Sequence, residues 1–358
     1  MESDDYLQML QKSHDILLNF LNNEDNFCSD FNKLIYQLNE FEFQSCKKNM
    51  KFLLYILCQI SKNHYRTQEL ISTIEKILLF YKKEIIEFFS DAEIFEIFKK
   101  SNRLILFLYK EGFIKIQYHV NYLVNNYYFS LFMSQEIYRF LNKQNCKRIK
   151  EMIDIYGPEV MDNFEEKRLK GENESYICSL IREDSIIEFV SYVSKTNLNL
   201  NSQIKKSFFE TNSFLLKNSK TSLIEYASFF GSIQIFQFLK LNNVELTPSL
   251  WLYAIHGRNA DIIHCLEESH IKPEDKTFKA CLIEAIKCHH NDIAYYIQTN
   301  LLDDKNMDSY SYCFKYSNYA FIENCITNMK NICTTKKWSF SYMFLIDVPE
   351  FDINSKII

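Results

Sequence analysis

A short phrase recurs three times in the second half of the chain, and its order limits the possible folds more than any other feature. The copies are Ser222-Leu-Ile-Glu-Tyr-Ala-Ser-Phe-Phe-Gly-Ser-Ile-Gln-Ile-Phe-Gln-Phe-Leu239, then residues 249–266 and 280–297. Each gives an apolar pair, an alanine, a polar turn, an acid or amide, and a second apolar pair. Period-3.6 spacing on both sides of a turn predicts a helical hairpin, and a recurring hairpin predicts a stack in which each unit buries its neighbour. Such stacks mainly hold other proteins, so the repeat suggests a mode of action and leaves the partner open.

Aligned on the polar turn, the equivalent positions are Gly231, Arg258, His289 and Ser317, spaced 27, 31 and 28 residues apart. After the turn, Ile235, Phe236, Phe238 and Leu239, then Ile262, Ile263, Cys265 and Leu266, form one apolar helix face. Ala227, Ala254 and Ala285 fall on the first helix, where a small side chain lets two helices approach. Residues 178–190 overlay on 254–266 with Arg182 against Arg258, which adds an earlier unit. Residues 195–220 then read as an insertion between two units.

Composition supports a helical chain. With 5 Gly and 4 Pro in 358 residues, the turn chemistry of a sheet-rich fold or a phosphate-cradling loop is missing. The net charge of -5 gives no footprint for nucleic acid, and Lys47-Lys48, Lys99-Lys100, Lys147-Arg148 and Lys205-Lys206 are short pairs diluted by acids. The apolar runs 52–58 and 104–109 are far short of the ~18 to 20 residues that cross a bilayer, so no membrane insertion is expected. Acids where a secretory leader would carry Lys or Arg, and eleven irregularly spaced Cys, point to reduced thiols in the cytoplasm or nucleus.

Upstream, Ser90 and Glu93 form a capping box that starts a helix, Ser101-Asn102 stands where a repeat turn would, and Gly112 can end the second helix. Two longer amphipathic helices precede them, so residues 1–155 read as a helical N-terminal domain with degenerate repeats. Residues 156–174 read as a charged linker, which can also contain a helix over 165–170. Residues 175–335 hold four or five repeats, and 336–358 supply a C-terminal cap through the apolar stretch 338–346.

With these residues aligned, the chain resembles the ankyrin-repeat superfamily, and more closely a large protist family whose ankyrin segment carries a domain of unknown function. The phrases at 170–178, 223–235, 249–256 and 286–293 carry the likeness, which spans about residues 170–300. The resemblance implies an all-α, ankyrin-like helical-hairpin solenoid, no known catalysis, no cofactor and a role in protein contacts. The chain departs from the standard repeat at Ser222-Leu-Ile-Glu225, where Thr-Pro-Leu-His would stand, and keeps the turn glycine only at Gly231.

Two constellations compete with a binding role. Cys281, Cys288, His289 and His290 suggest zinc or thiol chemistry, but Cys281 and Cys288 lie two helical turns apart, ~10 Å on one helix. The expectation is a core Cys281, a Cys288 at the helix end and two turn histidines. His256, His264 and His270 flank Cys265, which aligns with Phe238 and Tyr296 in the core, where a thiol without a cationic neighbour is inert. No phosphate loop, nucleophile elbow or His-Glu-x-x-His pair occurs, so the chain reads as a non-enzyme.

In stacks of this kind the first helix of each pair lines the concave side. By register its exposed positions are Tyr226, Phe229, Phe230, Tyr253, His256, Glu284, Lys287, Tyr312, Lys315 and Tyr316. Rings with polar tips there would anchor a protein partner. The competing expectation is that Phe229 and Phe230 are buried under the insertion.

Overall fold

The computed structural model describes residues 3–22, 31–64, 68–218, 220–303, 307 and 309–322. All regular elements among them are helical, and one isolated antiparallel bridge joins Gln203 to Ser222. The C-terminal cap expected over 336–358 lies outside the described residues.

The first part carries α1 (Ser3–Leu21), α2 (Phe31–Asn39), α3 (Lys47–Asn63), α4 (Gln68–Phe80), α5 (Lys82–Phe88), α6 (Asp91–Phe98), α7 (Asn102–Lys110), α8 (Val120–Asn125), α9 (Tyr127–Phe132), α10 (Ser134–Ile137) and α11 (Lys143–Tyr156). The capping box at the start of α6 forms as expected: the Ser90 N–H donates to Glu93 at 2.7 Å and the Glu93 N–H donates to Ser90 Oγ at 3.3 Å.

The expected linker contains α12 (Phe164–Lys170), and its Arg168 is fully buried. The guanidinium donates to both oxygens of Glu136 on α10, at 2.6 and 2.8 Å, to Glu165 and to the Phe132 carbonyl. It also stacks beside the rings of Phe132 and Phe164. A planar fork with several donors satisfied is the arrangement that makes a buried charge tolerable. The segment is therefore fixed to α10.

Beyond it the helices come in pairs: α13 (Tyr176–Arg182) with α14 (Ile186–Thr196), then, after the short α15 (Ser213–Lys217), α16 (Leu223–Phe229) with α17 (Ile233–Leu241), α18 (Leu250–Gly257) with α19 (Ala260–Glu268), and α20 (Lys279–Cys288) with α21 (Asn291–Tyr296). A final α22 (Tyr310–Lys315) packs on the 3-10 turn Tyr319–Phe321. First helices contact each other in chain order, α13 to α16 to α18 to α20 to α22, while α14, α17 and α19 form a second row. Ala227, Ala254 and Ala285 are buried at the contacts between first helices.

Each pair turns through a residue with left-handed backbone: Asp184, Gly231, Arg258, His289 and Ser317. Four of these turns close by a shared bond, from the N–H of Ser185, Ser232, His290 and Asn318 back to the carbonyl of Leu180, Ala227, Ala285 and Cys313. This corrects the register of the first unit, because Asp184, not Arg182, is the equivalent of Arg258. The Ile186-Ile187 pair misled the alignment. Ile187 is 78 % exposed, and the core position of α14 is Phe189.

Gly257 ends α18 where the α16 turn presses against it. A Cβ on it would lie 2.0 Å from the Ser228 carbonyl oxygen and 2.8 Å from the Gly231 nitrogen. The two glycines let consecutive turns nest, and Asn259 Nδ2 donates to the Gly231 carbonyl at 3.0 Å across the join.

The N-terminal helices fold back onto the repeats. α3 packs against α20 and α15, α1 packs on the turn Tyr319–Phe321, and Phe52 meets Tyr319 ring to ring at 5.1 Å.

Candidate functional site

The first helices were expected to display aromatic rings, and the structure buries them. Tyr226, Phe229, Phe230, Tyr253 and His256 are at most 8 % exposed. The residues 195–220 supply the cover. Asn212 caps α15 by accepting the N–H groups of Phe214 and Leu215, which fixes Phe214 over the first helices. Phe214 stacks on Phe229 at 5.8 Å, meets Tyr253 edge-on at 4.9 Å and lies 4.4 Å from the His256 ring. Tyr226 is fully buried, and its hydroxyl accepts from Arg182 at 2.9 Å. Glu284 and Lys287 are largely buried, Tyr312 and Tyr316 half-buried, and Lys315 exposed.

Beneath this cover lies a compact polar group. His256 Nε2 binds Glu284 Oε1 at 2.8 Å, and the Lys287 ammonium donates to the same oxygen at 2.6 Å. Burial pushes the Glu284 carboxyl up, but the His256 bond and the Lys287 charge outweigh it and hold the group at about 2. Burial pulls Lys287 down, yet Glu284 reverses this and raises it. Burial lowers His256 against the pull of Glu284, so the ring is neutral and donates to the carboxylate.

Cys288 Sγ lies 3.5 Å from His256 Nδ1 and 3.7 Å from Nε2. Near-equal separations put the sulfur off either lone-pair axis, so the ring is not placed to take its proton. Burial also pushes the thiol well above its ordinary value. One donor atom each from His256, Glu284 and Cys288 lie within 4.8 Å of one another, a spacing seen in metal sites. Here the carboxylate oxygen is already held by a cation and an imidazole, and the net charge of the set is balanced without an ion.

The four residues whose types suggested a competing metal or thiol centre do not converge. Cys281 is buried, and burial raises it, while Cys288 turns toward His256. His289 and His290 are bonded elsewhere: His289 Nδ1 meets His14 Nε2 of α1 at 2.9 Å, while His290 Nδ1 donates to the Ile255 carbonyl of α18 at 2.8 Å. The second set disperses too. His256 is buried, His264 is exposed and paired with Glu267 at 3.0 Å, and His270 is exposed. Cys265 is half-buried and, contrary to expectation, has a cation beside it, Lys240 Nζ at 2.9 Å.

His14 and His64 carry no recognisable spacing in the sequence, yet both sit in the contact between the two parts of the chain. His64 Nδ1 donates to the Cys288 carbonyl at 2.8 Å, and its ring meets that of His290 at 4.9 Å. Arg258, equivalent to a turn glycine, holds Asn22 at 2.6 Å and Asp292 at 3.1 Å.

Residues 241–324, which span α18 to α22, match the model of a family described as a domain of unknown function, DUF3447. Comparisons with curated proteins and with solved structures find no match. No described helix is long and apolar enough to cross a membrane.

Proposed function

We propose that the chain is a non-catalytic, protein-binding scaffold, built as an ankyrin-like solenoid whose inner face is filled by its own N-terminal helix and inserted segment. The observation that carries this reading is the same left-handed turn at Asp184, Gly231, Arg258, His289 and Ser317, joining helix pairs whose first members pack in chain order. The family match over the last of these pairs supports it. Catalysis is disfavoured because the Cys288 thiol and the His256 ring that come together are buried, and the ring is already bonded to Glu284.

The partner surface in this reading differs from the aromatic set first expected. Accessible apolar side chains lie on the second helices, at Ile187 of α14, Leu241 of α17 and Tyr295 of α21, each more than half exposed. Tyr312, Lys315 and Tyr316 remain partly accessible on α22. None of the described cysteines is joined in a disulfide, which suits the cytoplasm or nucleus proposed for it.

The test is quantitative affinity purification from the native cell with the wild type and with a triple variant, Ile187→Glu, Leu241→Glu and Tyr295→Glu. Circular dichroism checks that the helices persist. A protein retained by the wild type and lost from the folded variant supports the reading. Equal recovery by both removes the outer surface, and no enrichment over control removes the binding role.

A further inference from the structure

Four of the eight histidines meet where the N-terminal helices touch the turn after α20, and each is at most 4 % exposed. His14 comes from α1 and His64 from the end of α3, while His289 and His290 form the turn. Their bonds assign the protons. His14 Nδ1 accepts the Ala320 N–H at 3.2 Å, so its Nε2 carries the proton donated to His289 Nδ1. His289 in turn donates from Nε2 to the Tyr316 carbonyl at 3.0 Å. This chain requires both rings to be neutral, since a further proton on either Nδ1 would oppose an N–H. His64 differs, with Nδ1 on the Cys288 carbonyl and Nε2 facing Asn22 Oδ1 at 2.9 Å; that oxygen already accepts from the Arg258 guanidinium at 2.6 Å, so burial and this fixed positive charge oppose a second proton.

We propose that this cluster is a proton-operated latch: with neutral histidines it holds α1 and α3 on the repeat turns, and protonation releases them. Protonation would add positive charge where Arg258 from the α18 turn and Lys62 from α3 already stand. Asp292 on α21 is the carboxylate that offsets them at His64, and the neutral His256 lies behind His290 with the Glu284–Lys287 pair beyond it. Burial foremost, then the neighbouring imidazoles, Arg258 and Lys62, hold all four rings down: His14 and His290 well below the ordinary range, His289 to about 3 and His64 to about 4.

The sign follows from linkage. A histidine lowered in the docked state binds a proton more readily when released, so docking is at full strength above the ordinary value near 6.5. It weakens as pH falls from there toward 4. Each histidine freed by undocking shifts the equilibrium about tenfold per pH unit in that window. Release also uncovers the side of α20 that α3 covers. That consequence rests on the binding role proposed above, whereas the latch does not.

Hydrogen exchange on the full chain at pH 7.5, 6.5 and 5.5, corrected for intrinsic rates, reads the latch alone, with far-UV circular dichroism in parallel. The expected result is a loss of protection of at least about hundredfold in α1 and α3 between pH 6.5 and 5.5, with α16 and α18 protected and helicity unchanged. His14→Gln with His64→Gln should flatten that dependence by about a hundredfold per pH unit. If the double variant is already open at pH 7.5, the two single variants are compared instead, each flattening it about tenfold. Protection of α1 and α3 that ignores pH, that falls together with α16 and α18, or that keeps the wild-type slope in the variants would overturn the latch.

Discussion

Phe214, carried by the segment inserted between two helix pairs, lies stacked on Phe229 of the first helix it covers, with ring centroids 5.8 Å apart and planes 18° from parallel. One inserted side chain thereby seals the Phe229, Tyr253 and His256 rings. Phe214→Ala removes a ring that is 8 % exposed and leaves a cavity over three others, so it should cost about 3 to 5 kcal/mol. Urea unfolding measures this, and a shift under about 1 kcal/mol would mean that the insertion is not packed as described.

The nested turns give a sharper test. Gly257→Ala forces a Cβ against backbone oxygen at 2.0 Å, with no flexible side chain able to yield. The expected loss is at or above the roughly 3 kcal/mol end of overpacking effects. Ser317→Gly works in the opposite direction, because Ser317 holds a left-handed backbone at φ 55°, and glycine relieves about 1 kcal/mol of strain. Thermal midpoints of the two variants should move in opposite senses.

Glu284→Gln leaves the Lys287 ammonium buried without its counter-charge and should destabilise by about 3 to 5 kcal/mol. In the wild type Glu284 is held at about 2, below its ordinary 4.5, so the stabilisation it gives is complete above pH 4.5 and lost as pH falls toward 2. The size is on the order of 3 kcal/mol. Urea midpoints between pH 5 and 2.5 should fall less steeply in the variant.

Arg168→Ala should cost about 3 to 5 kcal/mol, since it strands Glu136 in a buried site. Arg168→Lys should restore only part of that, because an ammonium cannot bond both Glu136 oxygens in parallel. Full rescue by lysine, read from chemical unfolding, would count against the forked geometry.

Elemental analysis of protein purified without chelator should find less than stoichiometric zinc, because Lys287 occupies the carboxylate oxygen that a metal would need. One zinc per chain, lost in His256→Ala, would reverse that assignment.

The helices, the repeat phrase, the paired turns and the Ser90–Glu93 capping box were legible in the sequence, because each depends on neighbours three or four residues away; the second capping box, Ser222 with Glu225, has the same local spacing and was passed over. Ile262 and Ile263 were placed in the core and are buried. Lys287 was placed on a free surface, yet its ammonium reaches Glu284 one turn away under cover from elsewhere in the chain. The aromatic set failed for the same reason. Register says which side of a helix a ring occupies but not what lies over that side.

By itself, then, the sequence determined an all-helical chain with recurrent hairpins, since hydrophobic period and cap chemistry are local properties. Tertiary structure decided the rest. It placed Phe214 over the first helices, joined α1 and α3 to the turns through His14, His64, His289 and His290, and set Gly257 against Ser228. These contacts link residues 15 to 275 positions apart or more than one helix away, and no short-range pattern encodes them.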